Sequence, residues 1–155
     1  MIVSLILFII IIDQLTKYFA VIYLKNSQPI ILVENFLQLN YVENKGAAFG
    51  ILQNRQLPLI FFTVVVLIFV TVFLLKNKKI TFLTRITLGG IIGGALGNLI
   101  DRIRLNFVVD FIDFNFGGYY DFPVFNIADS FLVVLTILLS ILVFLDKYER
   151  VDQFE

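Results

Sequence analysis

Two aspartates are the first candidates for chemistry. Asp110 lies in Val108-Val109-Asp110-Phe111-Ile112-Asp113, between bulky apolar neighbours. Asp129 lies in Phe125-Asn126-Ile127-Ala128-Asp129-Ser130-Phe131, at the mouth of a long apolar segment. Taken singly, each fits a polar cap at a membrane edge. As a pair they can do more. Two carboxylates held close together cannot both ionise easily, so one pKa rises and the pair can share a proton. The ionised member can then take a proton from water while the protonated member polarises a peptide carbonyl. That is aspartic-protease chemistry. It suits a chain with no Cys and no His, which excludes thiol nucleophiles, Ser-His-Asp triads, disulfides and the usual Cys/His zinc sites.

Other polar residues sit where a charge or amide is costly unless used. Asp13 and Lys17 are four apart, on one helix face, inside an apolar stretch. They read as an ion pair that docks a helix or as a pair that handles substrate. Asn98, Asp101 and Arg102 close another apolar stretch beside a run of glycines. Capping of the membrane edge accounts for each residue alone but not for their grouping. Asn44, in Glu43-Asn44-Lys45-Gly46-Ala47-Ala48-Phe49-Gly50, fits a turn or a group that orients a carbonyl or carboxylate. Gly89, Gly93 and Gly97, with Gly90 and Gly94, form a double small-residue stripe that lets helices approach closely.

The elements that must position these residues follow from composition. The chain has 155 residues, 59% of them hydrophobic and 15% charged, against roughly 25% charged in a soluble domain. Mean hydropathy is +0.95. A soluble fold this small cannot bury so much apolar side chain, so the chain is read as a single membrane-embedded domain over 1–155. A bilayer core of about 30 Å needs about 20 apolar residues of helix. Four spans are predicted, at about 2–24, 57–75, 86–104 and 127–145. The first lacks the positive n-region and small-residue cleavage site of a removed leader.

Orientation follows from the loop 76–85, which holds Lys76, Lys78, Lys79 and Arg85 and no acid. The positive-inside rule makes it cytoplasmic, with both termini inside and segments 25–56 and 103–126 outside. Segment 28–56 reads as short strands and turns on the membrane face. Twelve basic residues balance twelve acidic ones, which gives nucleic acid no basic face to bind.

Five blocks carry a family likeness: Asp13-Gln14-Leu15-Thr16-Lys17; Asn44-Lys45-Gly46-Ala47-Ala48-Phe49-Gly50; Gly93-Gly94-Ala95-Leu96-Gly97-Asn98-Leu99-Ile100-Asp101-Arg102; Val108-Val109-Asp110-Phe111-Ile112; and Phe125-Asn126-Ile127-Ala128-Asp129-Ser130. In this order the chain closely resembles the lipoprotein signal peptidases (signal peptidase II), a family of membrane aspartic proteases. The resemblance implies a mainly α, integral-membrane fold: four transmembrane helices, a small extracytoplasmic β-cradle from 28–56 and a short extracytoplasmic helix near 112–122. It implies Asp110 and Asp129 as the catalytic dyad, with Asn44, Asn98, Arg102 and Asn126 holding substrate or orienting the aspartates. Asp13, Lys17 and Asp101 match positions of a more structural kind.

The implied substrate is a bacterial prolipoprotein whose lipobox Cys carries a diacylglyceryl thioether, cut just before that Cys. The implied setting is the bacterial cytoplasmic membrane, among membrane lipids, with the active site on the extracytoplasmic face. The expected protein is a monomer needing no metal or organic cofactor. Three other readings compete. A small proton-coupled transporter subunit would spread its acids through the membrane depth, whereas here the acids ahead of the cytoplasmic C-terminal tail, Asp13 apart, are placed at or beyond the outer edge. A membrane assembly factor would depend on the glycine stripe instead of the aspartates. A Ser-Lys peptidase would need Ser130 and Lys17 to meet, although the predicted spans place them at different depths.

Overall fold

The computed structural model describes residues 1–47, 51–116 and 122–150. The elements run α1 (Ile2–Tyr23), β1 (Ile30–Val33), β2 (Leu37–Asn44), α2 (Gln56–Lys76), α3 (Phe82–Leu105), β3 (Val108–Phe114) and α4 (Ile127–Phe144). All four helices are long and apolar enough to cross a membrane. They match the predicted spans to within a residue or so, except that α3 begins four residues earlier. Thr81 sets that start: its side chain accepts a hydrogen bond from the Thr84 N–H at 3.2 Å, an N-cap. Pro58 sits in the first turn of α2, where a missing N–H costs nothing.

α3 is the central helix, and its glycines explain why. Gly89 and Gly93 abut Ile2, Ile6 and Ile9 of α1, whereas Gly90 and Gly94 abut Leu135, Leu132 and the Ala128 carbonyl of α4. The two halves of the stripe thus face α1 and α4 in the main, with Gly90 also near Ile9 and Gly97 between Asp13 and Ala128. α2 and α4 turn most of their apolar side chains outward, among them Phe61, Phe69, Val133 and Val134. In water such a surface would be a defect; in a bilayer it is the lipid face.

The three strands form one antiparallel sheet in the order β1-β2-β3. β2 arises in segment 28–56, as expected, but β3 comes from the segment before α4. Its register pairs Leu37 with Phe114, Val42 with Asp110 and Asn44 with Val108, with a bulge between Leu39 and Val42. Of the helix expected near 112–122, residues 117–121 lie outside the described residues and the rest are not helical. Residues 112–114 are the end of β3, and Phe125 bridges back to Ile112. That bridge delivers the chain to the start of α4 inside the bundle.

Candidate active site

Asn126 and Asp129 begin α4 as a capping box. The Asn126 side chain accepts from the Asp129 N–H at 2.9 Å, and the Asp129 carboxylate accepts from the Asn126 N–H at 3.3 Å. Local helix-start chemistry thus fixes Asp129 at the positive end of a helix, where an anion is favoured. β3 supplies Asp110, which is 1% exposed. Its two oxygens accept from Asn126 Nδ2 at 2.6 Å and Asn44 Nδ2 at 2.9 Å. Asn44 lies two residues along β2 from Val42, the partner of Asp110, so it reaches the aspartate diagonally across the sheet.

Asn98 completes the group. Its Nδ2 donates to Asp129 Oδ1 at 2.8 Å, and its Oδ1 accepts from Asn126 Nδ2 at 3.1 Å and Lys17 Nζ at 2.9 Å. The two aspartates are therefore linked through two asparagines. Both line one cavity of about 930 Å³ with Asn44, Asn98 and Arg102. Its far wall is apolar, with Phe122, Pro123, Leu132, Val133 and Val134. Arg102 donates from Nη2 to the Gly46 carbonyl at 3.3 Å, and its buried Nε has no partner among the described residues. Burial, reinforced by the negative charge of Asp129, pushes the Asp110 carboxyl up to about 7 from its ordinary 3.8; hydrogen bonds from Asn44 and Asn126 oppose the rise.

Behind this group lies a second buried set. Lys17 is 2.9 Å from Asp13 and 3.0 Å from Asp101. Asp13 and Lys17, expected from their spacing to share a helix face as a docking ion pair or a substrate-handling pair, are members of a three-residue ion cluster. Asp101 is a member of this cluster and does not line the cavity. Gln14, which lies in the first block of the family likeness but was assigned no role there, donates to Asp101 at 2.9 Å and to the Gly97 carbonyl at 3.2 Å. A lone Gln in an apolar span names no partner in sequence; the contact with α3 reveals its task.

The depths differ from the sequence expectation. Asp13 was expected apart from the other acids, in mid-span. It accepts from the Ala128 N–H at 2.9 Å, so α4 begins level with it. Asp13 lies ten residues before the end of α1, about 15 Å along the helix. The acids therefore form one contiguous cluster sunk between the helices. Lys17 reaches this level too, so depth does not separate it from Ser130. Their other contacts do: Lys17 is engaged by Asp13, Asp101 and Asn98, while the Ser130 hydroxyl donates to the Asn126 carbonyl at 3.0 Å. Ala48, Phe49 and Gly50 of the second block lie outside the described residues.

Fold and site together define a polytopic membrane protein with a paired-carboxylate cleft between its helices and a small sheet. A family model described as signal peptidase (SPase) II matches residues 5–145. The lipoprotein signal peptidase of Caldanaerobacter subterraneus is 48% identical over 92% of this chain and 94% of its own. That of Clostridium tetani is 44% identical over 90% of each chain. A solved structure described as a bacterial membrane enzyme superposes with a TM-score of 0.87 at 34% identity, covering 99% of this chain and 93% of its own. The chain belongs to the signal peptidase II family, the membrane proteases of lipoprotein processing.

Proposed function

We propose that Asp110 and Asp129 are the catalytic dyad, and that the chain hydrolyses the peptide bond just before the diacylglyceryl-modified Cys of a bacterial prolipoprotein. The observation that carries this reading is that the two carboxylates line one cavity and are linked through Asn98 and the buried Asn126 behind it. The ionised carboxylate takes a proton from water, whose oxygen attacks the scissile carbonyl. The protonated carboxyl hydrogen-bonds the carbonyl oxygen as negative charge develops there. The tetrahedral intermediate collapses as a proton passes to the leaving amine, freeing the signal peptide. Arg102 and Asn44 stand on the same wall, placed to hold the substrate backbone.

The apolar wall suits the substrate's own chemistry. A signal peptide is a helix in lipid, and Val133 and Val134 are among the outward-facing side chains of α4. The peptide can approach sideways from the bilayer, leaving the diacylglyceryl chains in lipid while the scissile bond enters the polar cleft. In this reading the cleft faces the extracytoplasmic side, both termini are cytoplasmic, and the enzyme works as a monomer among membrane lipids without a cofactor. The test is cleavage of a diacylated prolipoprotein by Asp110→Asn and Asp129→Asn proteins that retain the wild-type melting profile. Both should lose turnover; near-normal turnover by either would remove the dyad.

A further inference from the structure

The buried ion cluster touches the backbone at two informative places. Asp101 Oδ2 accepts from the Val109 N–H at 3.1 Å, and Val109 immediately precedes Asp110. Asp13 Oδ1 accepts from the Ala128 N–H at 2.9 Å, and Ala128 immediately precedes Asp129. Lys17 joins the two carboxylates, at 2.9 Å from Asp13 Oδ2 and 3.0 Å from Asp101 Oδ2. Asp13, Lys17 and Asp101 are 0%, 3% and 3% exposed.

We infer that Asp13, Lys17 and Asp101 form a brace that sets the separation of Asp110 and Asp129, which makes them positioning residues for the reaction. This rests on the dyad reading given above. An ion pair that only docked α1 would need no particular backbone partner. Here each carboxylate uses one oxygen on Lys17 and holds a backbone N–H beside one reacting aspartate. Ala128 is the second residue of α4, so its N–H is one of the orphan donors of a helix start. The Asn126 cap serves Asp129, leaving the Ala128 donor for Asp13. Gln14 holds the other oxygen of Asp101. Lys17 further steadies Asn98, whose amide then has its NH₂ group facing Asp129. Gly97 is what lets the brace close: a Cβ there would stand 2.6 Å from Asp13 Oδ2.

The charged groups around the pair are Asp13 and Lys17 from α1, Glu43 from β2, and Asp101 and Arg102 from α3. The mutual repulsion of two carboxylates depends on their separation, so the pair titrates in two coupled steps whose spacing reports that distance. The experiment measures kcat and KM against pH for full-length wild type, Asp101→Asn and Lys17→Met on a diacylated prolipoprotein in detergent micelles, with Asp110→Asn as control. Misplacing one carboxylate by about 1 Å should lower kcat on the order of 100-fold with KM within twofold, and draw the two apparent pKa values of the kcat profile together. Loss of a charge alone would move both limbs in the same direction with their spacing kept, and that result would overturn the brace. So would a kcat per folded enzyme equal to wild type. Should Lys17→Met fail to fold, Asp101→Asn decides, since it keeps the size of the side chain while removing the carboxylate charge that Lys17 and the Val109 N–H share. Activity in Asp110→Asn would instead sink the dyad reading itself.

Discussion

Asn98 donates to Asp129 at 2.8 Å from an amide whose oxygen is claimed by Lys17 at 2.9 Å. The amide therefore has one satisfactory orientation, and Asp129 receives a donor that cannot rotate away. A hydrogen bond to a charged group contributes about 1.5–3 kcal/mol, which corresponds to ~10–100-fold in rate. Asn98→Ala should lower kcat by that factor with little change in KM. Asn98→Asp should be worse, because it sets a third carboxylate against Asp129 and Asp110. Steady-state kinetics on a diacylated prolipoprotein separate the two variants, and an Asn98→Asp enzyme faster than Asn98→Ala would refute the donor role.

The raised pKa of Asp110 predicts how stability varies with pH. Between about 4 and 7 the folded chain binds the Asp110 proton more tightly than the unfolded chain, so ν in the native state exceeds ν in the unfolded state. This group's contribution to stability is therefore greatest at the acid end, declines as pH rises through that window and is constant above about 7. Asp110→Asn removes the titration. The variant should melt above wild type at pH 8, by a few kcal/mol at most, and the gap should close toward pH 4. Paired thermal melts across that range provide the check; a gap that is flat with pH would show that Asp110 titrates normally. Wild-type activity should decline above about pH 7 as the pair loses its shared proton.

The spans were legible because a bilayer demands about 20 apolar residues, and residues such as Leu57 to Leu75 carry no charge at all. The pairing of Asp110 with Asp129 was legible as a possibility, since one loop joins their elements. β3 was not. Val108 to Phe114 mixes Asp110 and Asp113 into an apolar run without clean alternation, and its partner strand lies more than sixty residues earlier. The level of α4 was hidden for a similar reason. It is set by the bridge from Phe125 to Ile112 and by Asp13 on the Ala128 N–H, both long-range contacts that no local pattern encodes.

The glycines separate by what stands against them. A Cβ at Gly89 would meet the Ile2 Cγ2 methyl at 2.8 Å, and Ile2 is the first residue of α1, where the end of the helix can shift to make room. At Gly97 it would meet the Asp13 carboxylate at 2.6 Å and Ala128 Cβ at 3.4 Å, and Asp13 is held by Lys17 and the Ala128 N–H. Gly97→Ala should therefore cost about 1–3 kcal/mol and most of the activity, while Gly89→Ala should stay within about 0.5 kcal/mol with normal turnover. Melting curves and turnover of the two purified variants decide. Equal effects would mean that the stripe acts only as generic packing.

Orientation can be read directly because the chain has no cysteine to interfere. The loop between α2 and α3 carries Lys76, Lys78 and Lys79, with Arg85 in the first turns of α3, and the chain near Glu149 pairs with Ile80 beside it. This basic end resists translocation. The opposite end carries the sheet, Asn54 and the cleft. Single substitutions Lys78→Cys and Asn54→Cys place one thiol at each end, at exposed positions. In intact cells a membrane-impermeant maleimide should label Asn54→Cys, while Lys78→Cys should react only after lysis. The reverse pattern would put the cleft on the cytoplasmic side. That outcome would contradict removal of a signal peptide from a translocated lipoprotein, whatever the dyad itself can do.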